Sequence, residues 1–184
     1  AHAHGARVHL DGARIFNAAA ALGVDARELC APVDTVQFCF SKGLSAPVGS
    51  ILCGPKDTIA KARRVRKILG GAMRQSGVIA AAALIALDEM RGRLVEDHAN
   101  AKALAEGLAA IPGVRIDIVG FEIDPARADA GAFQRACFER GARFSRYLGE
   151  SPRLRMVTHR GVTAPDVQAA LKIMSEVLAG GPRA

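Results

Sequence analysis

The chain has no tryptophan, one tyrosine and seven phenylalanines in 184 residues, so aromatic side chains make up only 4% of it. Alanine and glycine are abundant instead. That balance suits a helix-rich α/β protein packed with small residues. Cysteine is also scarce. Cys30, Cys39, Cys53 and Cys137 form no C-x-x-C pair, and no zinc spacing occurs. Cys39 and Cys53 lie in apolar runs and are expected to be buried thiols, which fits a reducing compartment. No apolar run is long enough to span a membrane, and no signal-peptide pattern is present. A soluble cytoplasmic protein with no membrane partner is the expectation.

Acidic residues are outnumbered by basic ones, 18 to 25, for a net charge of +7. Much of the excess sits in Lys61-Ala62-Arg63-Arg64-Val65-Arg66-Lys67. Such a run reads as a solvated helix face or as the footprint of a polyanion. The solvated face is preferred, and no nucleic-acid partner is expected. A positive field also favours phosphorylated small molecules. Half of the residues are hydrophobic, enough for a real core, and disorder is expected only in the tail 180–184.

Periodicity and breakers outline the elements. Residues 7–10 read as a short buried strand, 15–22 as an Ala-rich helix ended by Gly23, and 35–40 as a second strand. Residues 49–54 form a third strand, close enough in sequence to pair antiparallel with the second. A helix from about Lys56 to Leu69 is broken by Gly70-Gly71. A long helical pattern then runs from Ser76 through Asn100 to Ala110, leading from residues 1–92 into a second region, 93–184. There the pattern is a strand over 114–119, a helix over 130–140 capped by Gly141, a strand over 154–158 and a last helix. Thr163 is its N-cap, with Asp166 three residues on.

Two strand ends carry the chemistry. The second strand runs into Ser41-Lys42-Gly43, and the first runs into Asp11-Gly12-Ala13-Arg14. An amine and a carboxylate on two strand-end loops facing one cleft can hold pyridoxal phosphate. The lysine condenses with the cofactor aldehyde, and the carboxylate pairs with the pyridinium nitrogen at the opposite end of the ring. Taken singly, each residue has an ordinary reading. Asp11 could be a turn or N-cap aspartate, Lys42 a surface lysine, Arg14 and Arg74 helix-start residues, and Arg155 a solvent-facing strand residue. His9 is read as structural and His98 as a helix-surface residue. His159 could orient Arg155 or cap a strand, and His2 and His4 look like a flexible start.

Five blocks occur in order: His9 to Ala19 (HLDGARIFNAA), Phe38 to Ser50 (FCFSKGLSAPVGS), Lys67 to Ala82 (KILGGAMRQSGVIAAA), Arg93 to Ala101 (RLVEDHANA) and Leu154 to His159 (LRMVTH). Together they closely resemble threonine aldolases, in the beta-eliminating lyase family. The resemblance implies an α/β, fold-type I, aspartate-aminotransferase-like architecture, here as part of the large cofactor-binding domain plus a small C-terminal α+β domain. It implies pyridoxal 5'-phosphate as cofactor and cleavage of threonine-like β-hydroxy-α-amino acids to glycine and an aldehyde.

The same resemblance implies roles. Lys42 is the cofactor-bearing lysine and Asp11 the partner of the ring nitrogen. Arg14 lies near the ring oxygen and substrate carboxylate, and Arg155 is the main carboxylate arginine. Arg74 contacts the cofactor phosphate across a subunit boundary in a homodimer or homotetramer with shared sites. No glycine-rich phosphate loop precedes Asp11, so the chain is expected to be a C-terminal portion. Residues 113–124 look short for the family, as if a strand were partly deleted. The alternatives are another fold-type I lyase or aminotransferase, or a non-catalytic remnant that self-associates or binds polyanions through residues 61–67.

Overall fold

The computed structural model describes residues 1–117, 120–147 and 151–180. The chain folds as two compact units, Ala1–Val95 and Glu96–Ala184.

The first unit is built on a three-stranded sheet of β1 (His9–Asp11), β2 (Thr35–Cys39) and β3 (Ser50–Cys53). β1 and β2 are parallel, in the register His9↔Thr35, Leu10↔Val36, Asp11↔Gln37. β3 returns antiparallel to β2, as the short connection predicts. α1 (Ile15–Leu22) follows β1 and ends at Gly23, whose φ of 69° lets its N–H reach Ala19 O. Phe16 of α1 meets Phe38 of β2 edge-on at 5.1 Å, and Phe38 meets Phe40 at 5.2 Å. These few rings hold the helix to the sheet.

The sequence pattern missed α2 (Ala26–Cys30). It is marked by a capping box in which the Arg27 N–H donates to Asp25 and the Asp25 N–H donates to Glu28. The start of the chain is not loose either. His2–His4 form a 3-10 turn, and His2 Nε2 lies 2.9 Å from Asp34 Oδ2. Cys39 and Cys53, expected to be buried, are only half-buried; the fully buried thiol is Cys137.

α3 (Lys56–Ile68) carries the basic run on an exposed surface. The long helix expected from Ser76 to Ala110 is two helices, α4 (Gly77–Glu89) and α5 (Leu94–Ala109). Gly92 lies at the break, where a glycine weakens the helix by roughly 1 kcal/mol relative to alanine. Arg91 Nε donates to Leu87 O at 2.6 Å, satisfying a terminal carbonyl of α4. Met90 and Leu94, on either side of the break, are both buried in the core of the first unit.

The second unit has an antiparallel sheet in the order β4-β5-β7-β6: β4 (Val114–Ile116), β5 (Phe121–Ile123), β6 (Ser145–Arg146) and β7 (Arg153–Arg155). The segment read as a partly deleted strand holds two strands. β4 and β5 pair antiparallel, and Phe121 and Ile123 are buried in the core. Residues 118–119 of the expected strand, and 181–184 of the expected loose tail, lie outside the described residues. Glu122, on the outward face of β5, pairs with Arg115 on one neighbouring strand and Arg153 on the other. α6 (Ala130–Glu139) and α7 (Ala164–Ala179) supply Phe133, Cys137, Val167, Met174 and Leu178 to the same core. Thr163 and Asp166 form the capping box expected at the start of α7.

Candidate active site

Parallel strands end on the same side of a sheet, so β1 and β2 deliver Asp11 and the Lys42 loop to one edge of the first unit. Asp11 is the last residue of β1 and lies opposite Gln37. The chain turns at Gly12, whose N–H donates to Gln37 O at 2.8 Å. A Cβ on Gly12 would meet Gln37 O and Val36 Cγ2 at 3.0 Å, which is why a small residue follows Asp11. Asp11 Oδ1 accepts from the Ala13 N–H at 3.2 Å and also from Gln37 Nε2. No other hydrogen bond reaches this exposed carboxylate among the described residues. Arg14 is the exposed N-cap residue of α1.

Lys42 leaves β2 on a turn closed by Ser45 N–H donating to Lys42 O at 2.9 Å, with Ser45 at a φ of 62°. Phe40, Leu44 and Ala46 are buried around it. Two backbone bonds brace the loop, Phe40 N–H to Gly49 O and Ala46 N–H to Phe40 O, both at 3.0 Å. The turn is therefore anchored by apolar residues on either side, while the Lys42 side chain is exposed. No hydrogen bond or ion pair joins the Arg14, Lys42 or Arg74 side chain to another described residue.

Arg74 is exposed on the link between α3 and α4, next to Gln75 with its φ of 52°. Arg155 is the exposed last residue of β7, in the second unit, where it pairs in register with Ser145. The structure thus gathers Asp11, Arg14 and the Lys42 turn at the end of one pair of strands. Arg74 lies on a separate link of the same unit, and Arg155 belongs to the other unit. His9 Nδ1 lies 2.8 Å from Thr35 Oγ1, a bond between strands. His159 Nδ1 accepts from the Gly161 N–H at 3.1 Å, inside its own turn. Sequence reasoning missed Gln37, because its only signal is its cross-strand register with Asp11. Among the described residues, no cluster of histidine, cysteine and acidic side chains is arranged to hold a metal ion. No helix among them is long and apolar enough to cross a membrane.

The chain is 43% identical over 183 residues to low-specificity L-threonine aldolase 1 of Arabidopsis thaliana, an alignment covering 95% of this chain and 51% of the plant protein. It therefore spans about half the length of that curated relative. A Listeria monocytogenes crystal structure with the provisional name L-allo-threonine aldolase superposes with a TM-score of 0.79 at 23% identity, covering 96% of this chain and 53% of that one. A structure described as SPT with PLP superposes at 0.69 with 21% identity, over 97% of this chain and 49% of that one. These likenesses show the fold-type I, aspartate-aminotransferase-like architecture. The family model for beta-eliminating lyases matches residues 1–123, a stretch that holds both strand ends, and by that match the chain belongs to the beta-eliminating lyase family.

Proposed function

We propose that this chain carries the lysine, carboxylate and arginines of a pyridoxal-phosphate-dependent aldehyde-lyase. Its substrates are β-hydroxy-α-amino acids such as threonine, and its products are glycine and an aldehyde. The observation that carries the reading is the delivery of Asp11 and the Lys42 turn to one end of two adjacent parallel strands. The name of the Arabidopsis relative supports the substrate class.

The donor set fits the cofactor. Lys42 offers a primary amine with no hydrogen-bond or ion-pair partner among the described residues. Asp11 offers a carboxylate whose Oδ1 is bonded and whose Oδ2 receives no hydrogen bond among the described residues. When bound, pyridoxal phosphate supplies the electron sink for the pair released when the substrate Cα–Cβ bond breaks. Asp11 holds a proton on the ring nitrogen by favouring its charged form. Lys42 anchors the cofactor through its Nζ. Arg155 binds the substrate carboxylate through its planar guanidinium and so selects the bond that is cleaved. Arg14 supports the ring oxygen and the carboxylate, and Arg74 meets the phosphate across a subunit boundary in a homodimer or homotetramer. A cytoplasmic location completes the reading.

The test is to mix the chain with pyridoxal phosphate, reduce with borohydride and map the modified lysine by mass spectrometry, then assay glycine release from threonine. Near-stoichiometric label on Lys42 is expected. Label scattered over the surface lysines overturns the proposal.

A further inference from the structure

Asp11 is the residue on which the electron-sink chemistry depends, yet it is exposed and stands on a strand only three residues long. A short exposed side chain has several rotamers open to it, and only some aim an oxygen at a ring held by Lys42. Two groups restrict it. The Ala13 N–H, two residues on, donates to Oδ1, and so does Gln37 Nε2 from the neighbouring strand. Both donors fall on the same oxygen.

The cross-strand donor has a particular chemistry. An amide donates without carrying charge, so it fixes the carboxylate without neutralising it. A lysine or arginine at the same place would compete with the ring's own N–H⁺ for the negative charge. Gln37 reaches Asp11 because parallel pairing puts the two residues directly opposite each other. The Gly12 N–H bond to Gln37 O ties the same two segments together through the backbone.

We propose that Gln37 is the positioning residue for Asp11: its amide N–H holds Oδ1, turning Oδ2 toward the ring nitrogen of the cofactor. The proposal rests on the reading of Asp11 given above. Gln37 touches neither substrate nor cofactor in this role.

The experiment compares binding of pyridoxal phosphate with that of deazapyridoxal phosphate, in which CH replaces the ring nitrogen. The proteins are the unaltered chain, Gln37→Met and Asp11→Asn, and the readout is an absorbance titration. Methionine keeps the length of the side chain and removes the donor. The unaltered chain is expected to prefer the ring with nitrogen. Gln37→Met is expected to lose roughly tenfold of that preference, the scale of one hydrogen bond to a charged group, and Asp11→Asn to lose at least as much. A purely structural defect weakens both ligands equally and leaves their ratio intact. Full preference retained in Gln37→Met, or both ligands weakened by the same factor, overturns the role of Gln37 alone. Equal binding of the two rings by the unaltered chain, or binding of neither, overturns the Asp11 reading and this inference with it.

Discussion

Gly43 stands directly against Asn17: a Cβ on the glycine would lie 2.5 Å from Asn17 Oδ1 and 3.0 Å from Leu94 Cδ2. Asn17 belongs to α1, which follows Asp11, and Gly43 follows Lys42. The contact thus locks the lysine turn onto the helix that the carboxylate strand feeds. Gly43→Ala is expected to cost about 1–3 kcal/mol by overpacking. It should also lower the borohydride-fixed label on Lys42, because Asn17, Leu94 or the turn itself must shift to admit the methyl. Pairing it with Asn17→Ala should restore part of the label. Urea denaturation and peptide mapping together check this, and full labelling of Gly43→Ala would show that the turn position is not set here.

Arg155 ends β7 with an exposed side chain. If it binds the substrate carboxylate through two parallel N–H bonds, lysine cannot replace it. Arg155→Lys is expected to raise the KM for threonine by roughly tenfold or more, the scale of one lost charge-assisted bond. Label on Lys42 should be unchanged. Steady-state kinetics beside the labelling assay separates the two effects.

Gly107 of α5 packs on α7, where a Cβ would lie 2.3 Å from Leu171 Cδ1, 2.8 Å from Cδ2 and 3.1 Å from Cγ. In an open helix Gly→Ala stabilises by roughly 1 kcal/mol. Here the overlap reaches Cγ, so the leucine cannot simply swing its tip away. Gly107→Ala is expected to destabilise by about 1–2 kcal/mol. In a Leu171→Ala background the same change should stabilise, and a double-mutant cycle by chemical denaturation reads the change of sign.

Burial pushes the Cys137 thiol up to about 12, with Arg140 opposing weakly. Burial first, and then the nearby Cys30, also raise Cys53 above its ordinary value. At pH 8 the folded chain should therefore lose Cys137 last to a thiol reagent, while Cys30 and Cys39 react soonest. All four should react at similar rates in urea. Early modification of Cys137 in native buffer would contradict its place in the second core.

The Asp34 carboxyl is held below its ordinary value of 3.8, first by the Val8 N–H and then by His2. A lowered aspartate stabilises the fold fully above its unfolded value, and that stability is lost as pH falls through the folded value. The urea-midpoint gap between the unaltered chain and Asp34→Asn should be flat near neutrality and close as pH drops below 3.8. A gap that widens in acid would contradict the bond to Val8.

Much of this architecture was legible along the chain. Gly23 and the Thr163–Asp166 pair mark helix ends by local backbone chemistry, so their places follow from sequence alone. Asp11 and Lys42 were visible because each follows an apolar strand at a glycine. Other features were not. The break at Gly92 hides inside an otherwise helical pattern, because a single glycine weakens a helix without by itself ending it. β5 is too short for alternation to be read, and its strand character comes from pairing with β4 and β7.

The sequence by itself determined the strand-end positions of the lysine and the aspartate, the helix ends at Gly23 and Thr163 and the family, because each rests on neighbouring residues in fixed order. Only the tertiary structure decided that Gln37 donates to Asp11, that Gly43 abuts Asn17 and that Arg153 and Arg115 converge on Glu122. The first pair is 26 residues apart. Contacts at that separation are set by sheet register and side-chain packing, which no local pattern encodes.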